Sequence, residues 1–429
     1  MAKSTPRRRA APTRPWSRRP RTSAPLTEPL PEPPPAPTSP EPAPTSEPVL
    51  QLAEVVEPVT QPVLEPAPLL LAPPGSVPDP LTPPPRSRLR SRSSALLWLL
   101  LTLVGAALLV VGLFGPELLP IDRLELPAGL RPIDLTSPWL PQVGAVVVAT
   151  TYVWALAART GGRPVVFGLL TAAIGAAVLV ADRDVPRSGA AVMVCVVTGV
   201  LAVITTVPAV KLRHAVREVV VAVLLAALGG LATVGLQPSI DLVRFEYVSL
   251  GLALAGCFIV VYRLGAGFHG LGRRGILVVV VGAAILGLTL AYAELLRRYG
   301  TPALVQVAFD GIGWLRDHLG ASPRPIVALL GIPALVWGTH MRARRRQGWW
   351  VCAFGVGATV PIAQALIDPG VTRTEAGLAM AYGLVVGLVV GIVLIRVDLA
   401  LTGQRGRGAR RAEEAMAIRP EPARIEALL

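Results

Sequence analysis

Long apolar runs separated by short polar segments fill the chain from about residue 95 to residue 398. A run of about 17 to 25 apolar residues is long enough to cross roughly 30 Å of hydrocarbon as an α-helix. The pattern therefore predicts an all-α fold, a polytopic transmembrane helical bundle of about ten spans. The predicted spans are about 95–115, 142–158, 165–181, 189–208, 218–236, 247–264, 276–296, 325–341, 349–367 and 376–397.

Two polar regions flank the predicted bundle. Residues 1–94 hold more than half of the chain's 44 prolines, with basic residues at both ends of the segment. Proline fixes φ and has no amide donor, and the segment has little apolar surface to offset the entropy of ordering. We predict a disordered, Pro-rich cytoplasmic segment over 1–94, the bundle over 95–398, and a polar cytoplasmic tail over 399–429.

The distribution of arginine predicts the orientation. If the N-terminus is inside, the segments on that side carry about twice as many arginine and lysine residues as the loops outside, as expected for cytoplasmic loops. Both termini are then cytoplasmic, and the protein lies in a bacterial inner membrane. Trp139, Trp349 and Trp350 fall at predicted interfaces, where an aromatic belt is expected. The topology anchors are Arg86, Arg88, Arg90, Arg92, Arg342, Arg344, Arg345 and Arg346.

The composition supports a lipid environment for most of the chain. Hydrophobic residues make up 52% of the chain and charged residues only 16%, against about a quarter charged in a soluble domain. The net charge of +14 invites a nucleic-acid interpretation, but arginines that flank spans explain it better. Apart from the lipid bilayer, the partners to expect are anionic lipids at the N-terminal basic segment and a protein that recognises the Pro-rich segment.

The segment between the seventh and eighth spans carries a different pattern. Thr301 is a candidate helix cap, Pro302 suits the first helical position and Gly320 suits the end. Between them, Val305, Ala308, Ile312, Leu315 and Leu319 recur at intervals of three and four residues along one face. We predict a short amphipathic helix that lies on the outer membrane surface or covers the bundle.

Ionisable residues are missing from the middle of the predicted spans, which argues against a pump with a buried carboxylate relay. A possible pathway remains at Pro333, Pro361 and Gln364, because proline kinks a span and an amide between two kinked spans can line a path. Ordinary packing is the alternative, since proline is frequent in transmembrane helices.

A ridge of small residues marks the last span. Ala379, Gly383, Gly387 and Gly391 recur every four residues, so that another helix can approach closely. The ridge can serve helix packing within the bundle or between two copies of the chain.

No catalytic, phosphate-binding or dinucleotide motif appears, and the four histidines and three cysteines have no metal-ligand spacing. We therefore expect no cofactor and no metal. The first hypothesis for the function is a transporter or permease-like protein. The alternatives are a non-catalytic envelope scaffold or assembly factor, and an outer-face glycosyl- or lipid-transferase that would use Asp122, Glu125 or Asp134.

Overall fold

The computed structural model describes residues 88–118, 123–124, 133–134, 137–263, 268–299, 302–344, 348–402, 421–422, 424 and 426–428. These residues all belong to one compact unit, Asp79–Leu429. The sequence predicts disorder for residues 1–94, but residues 88–94 are helical and begin α1, because the apolar run continues the helix on its N-terminal side. Residues 1–87 lie outside the described residues, as does the segment between α12 and Glu421.

The regular secondary structure of the described residues is helical apart from one short antiparallel β pair, β1 (Arg123–Leu124) with β2 (Ile133–Asp134). A π-helix, Ile326–Gly331, runs directly into α9. The α-helices are α1 (Arg88–Leu118), α2 (Trp139–Arg159), α3 (Pro164–Ala181), α4 (Asp184–Ile204), α5 (Leu212–Gly235), α6 (Leu242–Arg263), α7 (Phe268–Tyr299), α8 (Pro302–Leu319), α9 (Ile332–Arg342), α10 (Gly348–Ala353), α11 (Val356–Ile367) and α12 (Arg373–Thr402).

Among the described residues, eight helical segments are long and apolar enough to cross a membrane: one each in α1 to α6, the pair α10–α11, and α12. Two shorter apolar segments, Val279–Ala291 within α7 and Ile326–Arg342, fall at the other two predicted spans. The structure therefore supports a membrane protein with several spanning helices, and the count of ten stays a prediction.

The amphipathic helix predicted between Thr301 and Gly320 is α8. Gly320 follows its last residue with φ +75°, in the left-handed region, and its amide donates to the carbonyl of Arg316. A residue with a Cβ resists this conformation, so glycine ends the helix here. Ile312 and Leu319 of the predicted apolar face are exposed, as expected for a face that meets lipid.

Burial divides the helices into a centre and a periphery. In the spanning segment of α10–α11, 89% of the residues are buried inside the protein, whereas the figure for α3 is 11%. α4, α5, α6 and α9 contribute to the same buried core as α11. Small residues permit this packing: a Cβ added to Gly331 would come within 2.0 Å of the Ala358 amide nitrogen, so the π-helix and α11 touch through their backbones.

The helices run in alternating directions, so their ends gather at two opposite ends of the bundle. One end, which we call the cluster end, contains the last residues of α2 and α9 and the first residues of α5. The opposite end contains the connection between α3 and α4 and the first residues of α12. The parallel contacts of α12 with the π-helix and α9, from Gly383 against Val327 to Gly391 against Val336, agree with this arrangement.

Candidate functional site: a buried charge cluster

Three charged side chains from three helices lie together at the cluster end. Arg159 is the last residue of α2, Glu218 lies in the second turn of α5, and Arg342 is the last residue of α9. Each residue is only 1% exposed. Charged side chains are rarely buried to this extent unless they are paired, and we call these three residues the charge cluster.

The end of α4 supplies the first set of partners. The last carbonyls of a helix have no partner within the helix, and the segment after Ile204 stays close to the cluster. Arg159 Nε donates to the Ile204 carbonyl at 3.3 Å. Arg342 donates through Nη1 to Thr206 Oγ1 at 2.8 Å and through Nη2 to the Thr206 carbonyl at 3.1 Å. The Val207 amide donates to Glu218 Oε2 at 2.9 Å, so the last residue of α4 and the residues that follow it contact all three members.

The second set of partners comes from the described residues among positions 421–428, which we call the tail segment. Arg342 Nη2 lies 2.5 Å from Glu421 Oε2. Arg424 Nη2 lies 2.9 Å from Glu218 Oε1 and 2.8 Å from Oε2. The tail segment thus offers a carboxylate to the buried arginine and a guanidinium to the buried glutamate.

Backbone contacts hold the tail segment at Arg159. Arg159 Nη1 donates to the Glu426 carbonyl at 2.8 Å and to the Pro422 carbonyl at 3.4 Å. In return, the Leu428 amide donates to the Arg159 carbonyl at 2.8 Å. Two side-chain ion pairs and these backbone hydrogen bonds therefore bind the segment to α2, α5 and α9 together.

Arg342 also stacks on an aromatic ring. Its Cζ lies 3.3 Å from the centroid of the Trp349 ring, the geometry of a cation–π contact. This placement corrects the expectation of an aromatic belt at Trp349 and Trp350. Trp349 and Trp350 are 6% and 5% exposed and pack inside the protein instead of forming an interfacial belt, whereas Trp139 is 47% exposed. The Arg342 guanidinium is bound inside the bundle, and its role as a topology anchor stays a prediction.

Glu218 is a buried charge near the start of a span that the sequence does not single out. The sequence places the start of the fifth span at residue 218, but α5 begins six residues earlier, at Leu212. Glu218 therefore lies inside the helix. Arg217, whose side chain is 64% exposed, reaches it from outside, with Nη2 2.9 Å from Glu218 Oε1.

The three predicted pathway residues are all buried. Pro333 stands at the start of α9, directly after the π-helix, and Pro361 lies within α11 beside a cavity of about 20 Å³. Gln364 Nε2 donates to the Glu246 carbonyl at 3.1 Å and to Ser249 Oγ at 3.2 Å. The amide therefore joins α11 to α6 and lines neither this cavity nor the larger one described below.

The ridge on α12 packs inside the bundle. An added Cβ on Gly383, Gly387 or Gly391 would meet Val327, Ile332 or Val336 at 2.9, 2.5 or 2.8 Å, respectively. Ala379 lines the small cavity beside Pro361. The predicted helix packing therefore joins α12 to the π-helix and α9.

Several of the predicted anchor and loop residues lie outside the described residues or have no described side chain. Arg86, Arg345, Arg346, Asp122 and Glu125 lie outside the described residues. Arg88, Arg90 and Arg92 belong to α1 and Asp134 to β2, without described side chains. Arg344 follows α9 in a turn.

A second cavity lies nearer the opposite end, between α2, α3 and α4. Its volume is about 350 Å³ and its lining is mainly apolar. Tyr152, one of its few polar lining residues, donates its hydroxyl to the Leu225 carbonyl at 2.8 Å. No charged residue lines this cavity.

Sequence reasoning places Arg159, Glu218, Arg342 and the tail on one side of the membrane but does not bring them together. Two features of the sequence are consistent with their contact: their shared side of the membrane, and the acidic and basic residues of "EPAR", from Glu421 to Arg424. No group of three or more potential metal ligands occurs among the described side chains, and the three cysteines are buried and free.

Comparison with known proteins adds no family assignment: no family model matches the chain, and no match was found among the curated proteins or the solved structures.

Proposed function

We propose that the protein is a permease-like membrane protein and that the charge cluster is the polar part of its substrate path. The observation that carries the proposal is the convergence of Arg159, Glu218 and Arg342, each 1% exposed, from three helices. Burying charge beside lipid is costly, and such residues in membrane helices typically mark substrate or ion pathways.

The proposal includes an orientation. The charge cluster and the tail segment face the cytoplasm, both termini lie on that side, and about ten spans cross a bacterial inner membrane. The excess of arginine in the segments at this end supports that assignment. The cluster then forms the cytoplasmic mouth of the path, and the basic segment before α1 contacts anionic lipids.

Counterflow in proteoliposomes tests the proposal. Vesicles that contain the full chain are preloaded in turn with unlabelled amino acids, dicarboxylates or sugars, and uptake of the matching labelled compound is measured. We expect uptake above protein-free vesicles for at least one class, and loss of most of it in Glu218→Gln. Glu375→Gln, which removes an ion pair at the opposite end, is the matched control and should retain uptake. Uptake equal to that of protein-free vesicles for every class would contradict the proposal.

A non-catalytic scaffold is the second candidate, and the packing of α11 favours it. The amide of Gln364 is hydrogen-bonded to α6, and α10–α11 is the most buried of the candidate spanning segments. A scaffold should show no counterflow and should lose its bound proteins when residues 1–85 are deleted, with the bundle still folded. Retention of those proteins after the deletion would contradict the scaffold.

A further inference from the structure

The tail segment carries two charges whose order matches the charge cluster. Glu421 and Arg424 are three residues apart, and they meet Arg342 and Glu218, respectively. The side chain of Arg342 is 0% exposed and that of Glu218 is 1% exposed, whereas those of Glu421 and Arg424 are 16% and 29% exposed. The bundle thus supplies the buried half of each ion pair, and the tail segment supplies the more accessible half.

The bundle half of the site is held in place without the tail segment. The end of α4 and the residues after it bind Arg159, Arg342 and Glu218 through Ile204, Thr206 and Val207, respectively. Trp349 lies against the Arg342 guanidinium. Side chains fixed in this way present one guanidinium and one carboxylate in a defined geometry, which is the usual basis of recognition of a ligand with complementary charges.

We infer that the charge cluster is a binding site for ligands that carry both a carboxylate and a guanidinium, and that the tail segment is its built-in, displaceable occupant. The ligand carboxylate takes the place of Glu421 on Arg342. The ligand guanidinium takes the place of Arg424, in contact with both oxygens of Glu218. The inference names a ligand class for the site of the proposed function. It rests on the proposed function only for movement of the ligand across the membrane, because binding can be measured without transport.

Two sources share this chemistry: a peptide segment like the tail itself, and a small molecule such as L-arginine. A tethered occupant competes at an effective concentration in the millimolar range. The native chain should therefore bind an added ligand more weakly than a chain whose own tail segment cannot dock.

Fluorescence anisotropy with a labelled peptide of residues 419–429 tests the inference on the detergent-solubilised full chain. The variant with Glu421→Lys and Arg424→Glu keeps the whole chain but presents like charges to Arg342 and Glu218. We expect it to bind the peptide at least about tenfold more tightly than the native chain does. A peptide with the same two charge reversals should bind it at least about tenfold more weakly than the native peptide does.

A second variant guards against misfolding of the first. Arg424→Gln alters one partly exposed side chain and leaves Glu421 in place, so it should bind the peptide with an affinity between those of the native chain and the double variant. Elution of each protein at the native volume in size exclusion shows that it is folded. No peptide binding to either folded variant, or equal binding of native and charge-reversed peptides, would overturn the inference.

Addition of L-arginine separates the two ligand sources. Displacement of the peptide by millimolar L-arginine supports the site and assigns it to small molecules with both groups. Peptide binding that resists L-arginine supports the site and assigns it to peptide segments. Specific binding without counterflow in proteoliposomes would refute the proposed permease and leave this inference standing, whereas counterflow without binding would refute the inference alone.

Discussion

The two ends of the bundle treat charge in opposite ways. At the cluster end, Arg159, Glu218 and Arg342 are buried and bind partners far away in sequence; Arg342 and Glu421 are 79 residues apart. At the opposite end, Arg187 pairs with Asp182, five residues away, and Arg316 pairs with Glu375, with Asp182 and Arg316 largely exposed. Exposed pairs contribute little to stability, whereas a buried charge that loses its partner is costly. The difference indicates that, in the described part of the chain, the buried ion pairs belong to the cluster end.

Removing the buried carboxylate should have the largest effect. Glu218→Gln leaves Arg424 without its carboxylate and weakens the bond from the Val207 amide, so we expect a loss of about 3–5 kcal/mol of stability. Glu375→Gln removes the carboxylate of the exposed pair and should cost no more than about 1 kcal/mol. Thermal inactivation in detergent, followed by size exclusion, measures both. Equal shifts of the midpoint in the two variants would remove the distinction between the ends.

Replacing arginine by lysine should have a smaller effect that still differs between the ends. Arg342 binds Thr206 and Glu421 through two nitrogens and stacks on Trp349. Lysine keeps the charge but not this planar geometry, so Arg342→Lys should cost about 1–3 kcal/mol. Arg373, at the opposite end, donates to the Leu113 carbonyl and has its Cζ 4.8 Å from the centroid of the Phe114 ring, a looser ring contact than that of Arg342 and a hydrogen bond that an ammonium can replace. The same thermal assay should show a smaller loss for Arg373→Lys, and a loss as large as that of Arg342→Lys would contradict the account.

These contrasts mark the limit of what the sequence can predict. The bounds of most helices follow from apolar runs, and α8 follows from Thr301, Pro302 and Gly320, because these signals act over a few residues. The pairing of Glu218 with Arg424, 206 residues away, has no local signal. An arginine at the end of a span has the same local pattern whether it faces headgroups or the bundle interior, which is why the sequence does not show that the Arg342 guanidinium lies inside the bundle. Trp349 was misinterpreted for the same reason.

Salt should produce the smallest effect and still separate the two ends. At 1 M salt the Debye length is about 3 Å, so interactions between exposed charges are largely screened, while buried pairs are screened much less. We expect the destabilisation by Glu375→Gln to disappear between 0.05 and 1 M salt and that by Glu218→Gln to be largely retained. Thermal midpoints of both variants and the native chain at the two salt concentrations provide the test. A Glu218→Gln effect abolished by salt would mean that the cluster is open to solvent.

A double-mutant cycle between Glu218 and Arg424 tests the central claim most directly, namely that the tail segment is bound by the buried charges of the bundle. The free energy of unfolding is measured for the native chain, Glu218→Gln, Arg424→Gln and the double variant. The same cycle for Arg316 and Glu375 is the control. The account predicts a coupling energy of about 1–3 kcal/mol for Glu218 with Arg424, and less than about 0.5 kcal/mol for the control pair. Additive effects of Glu218→Gln and Arg424→Gln would contradict it.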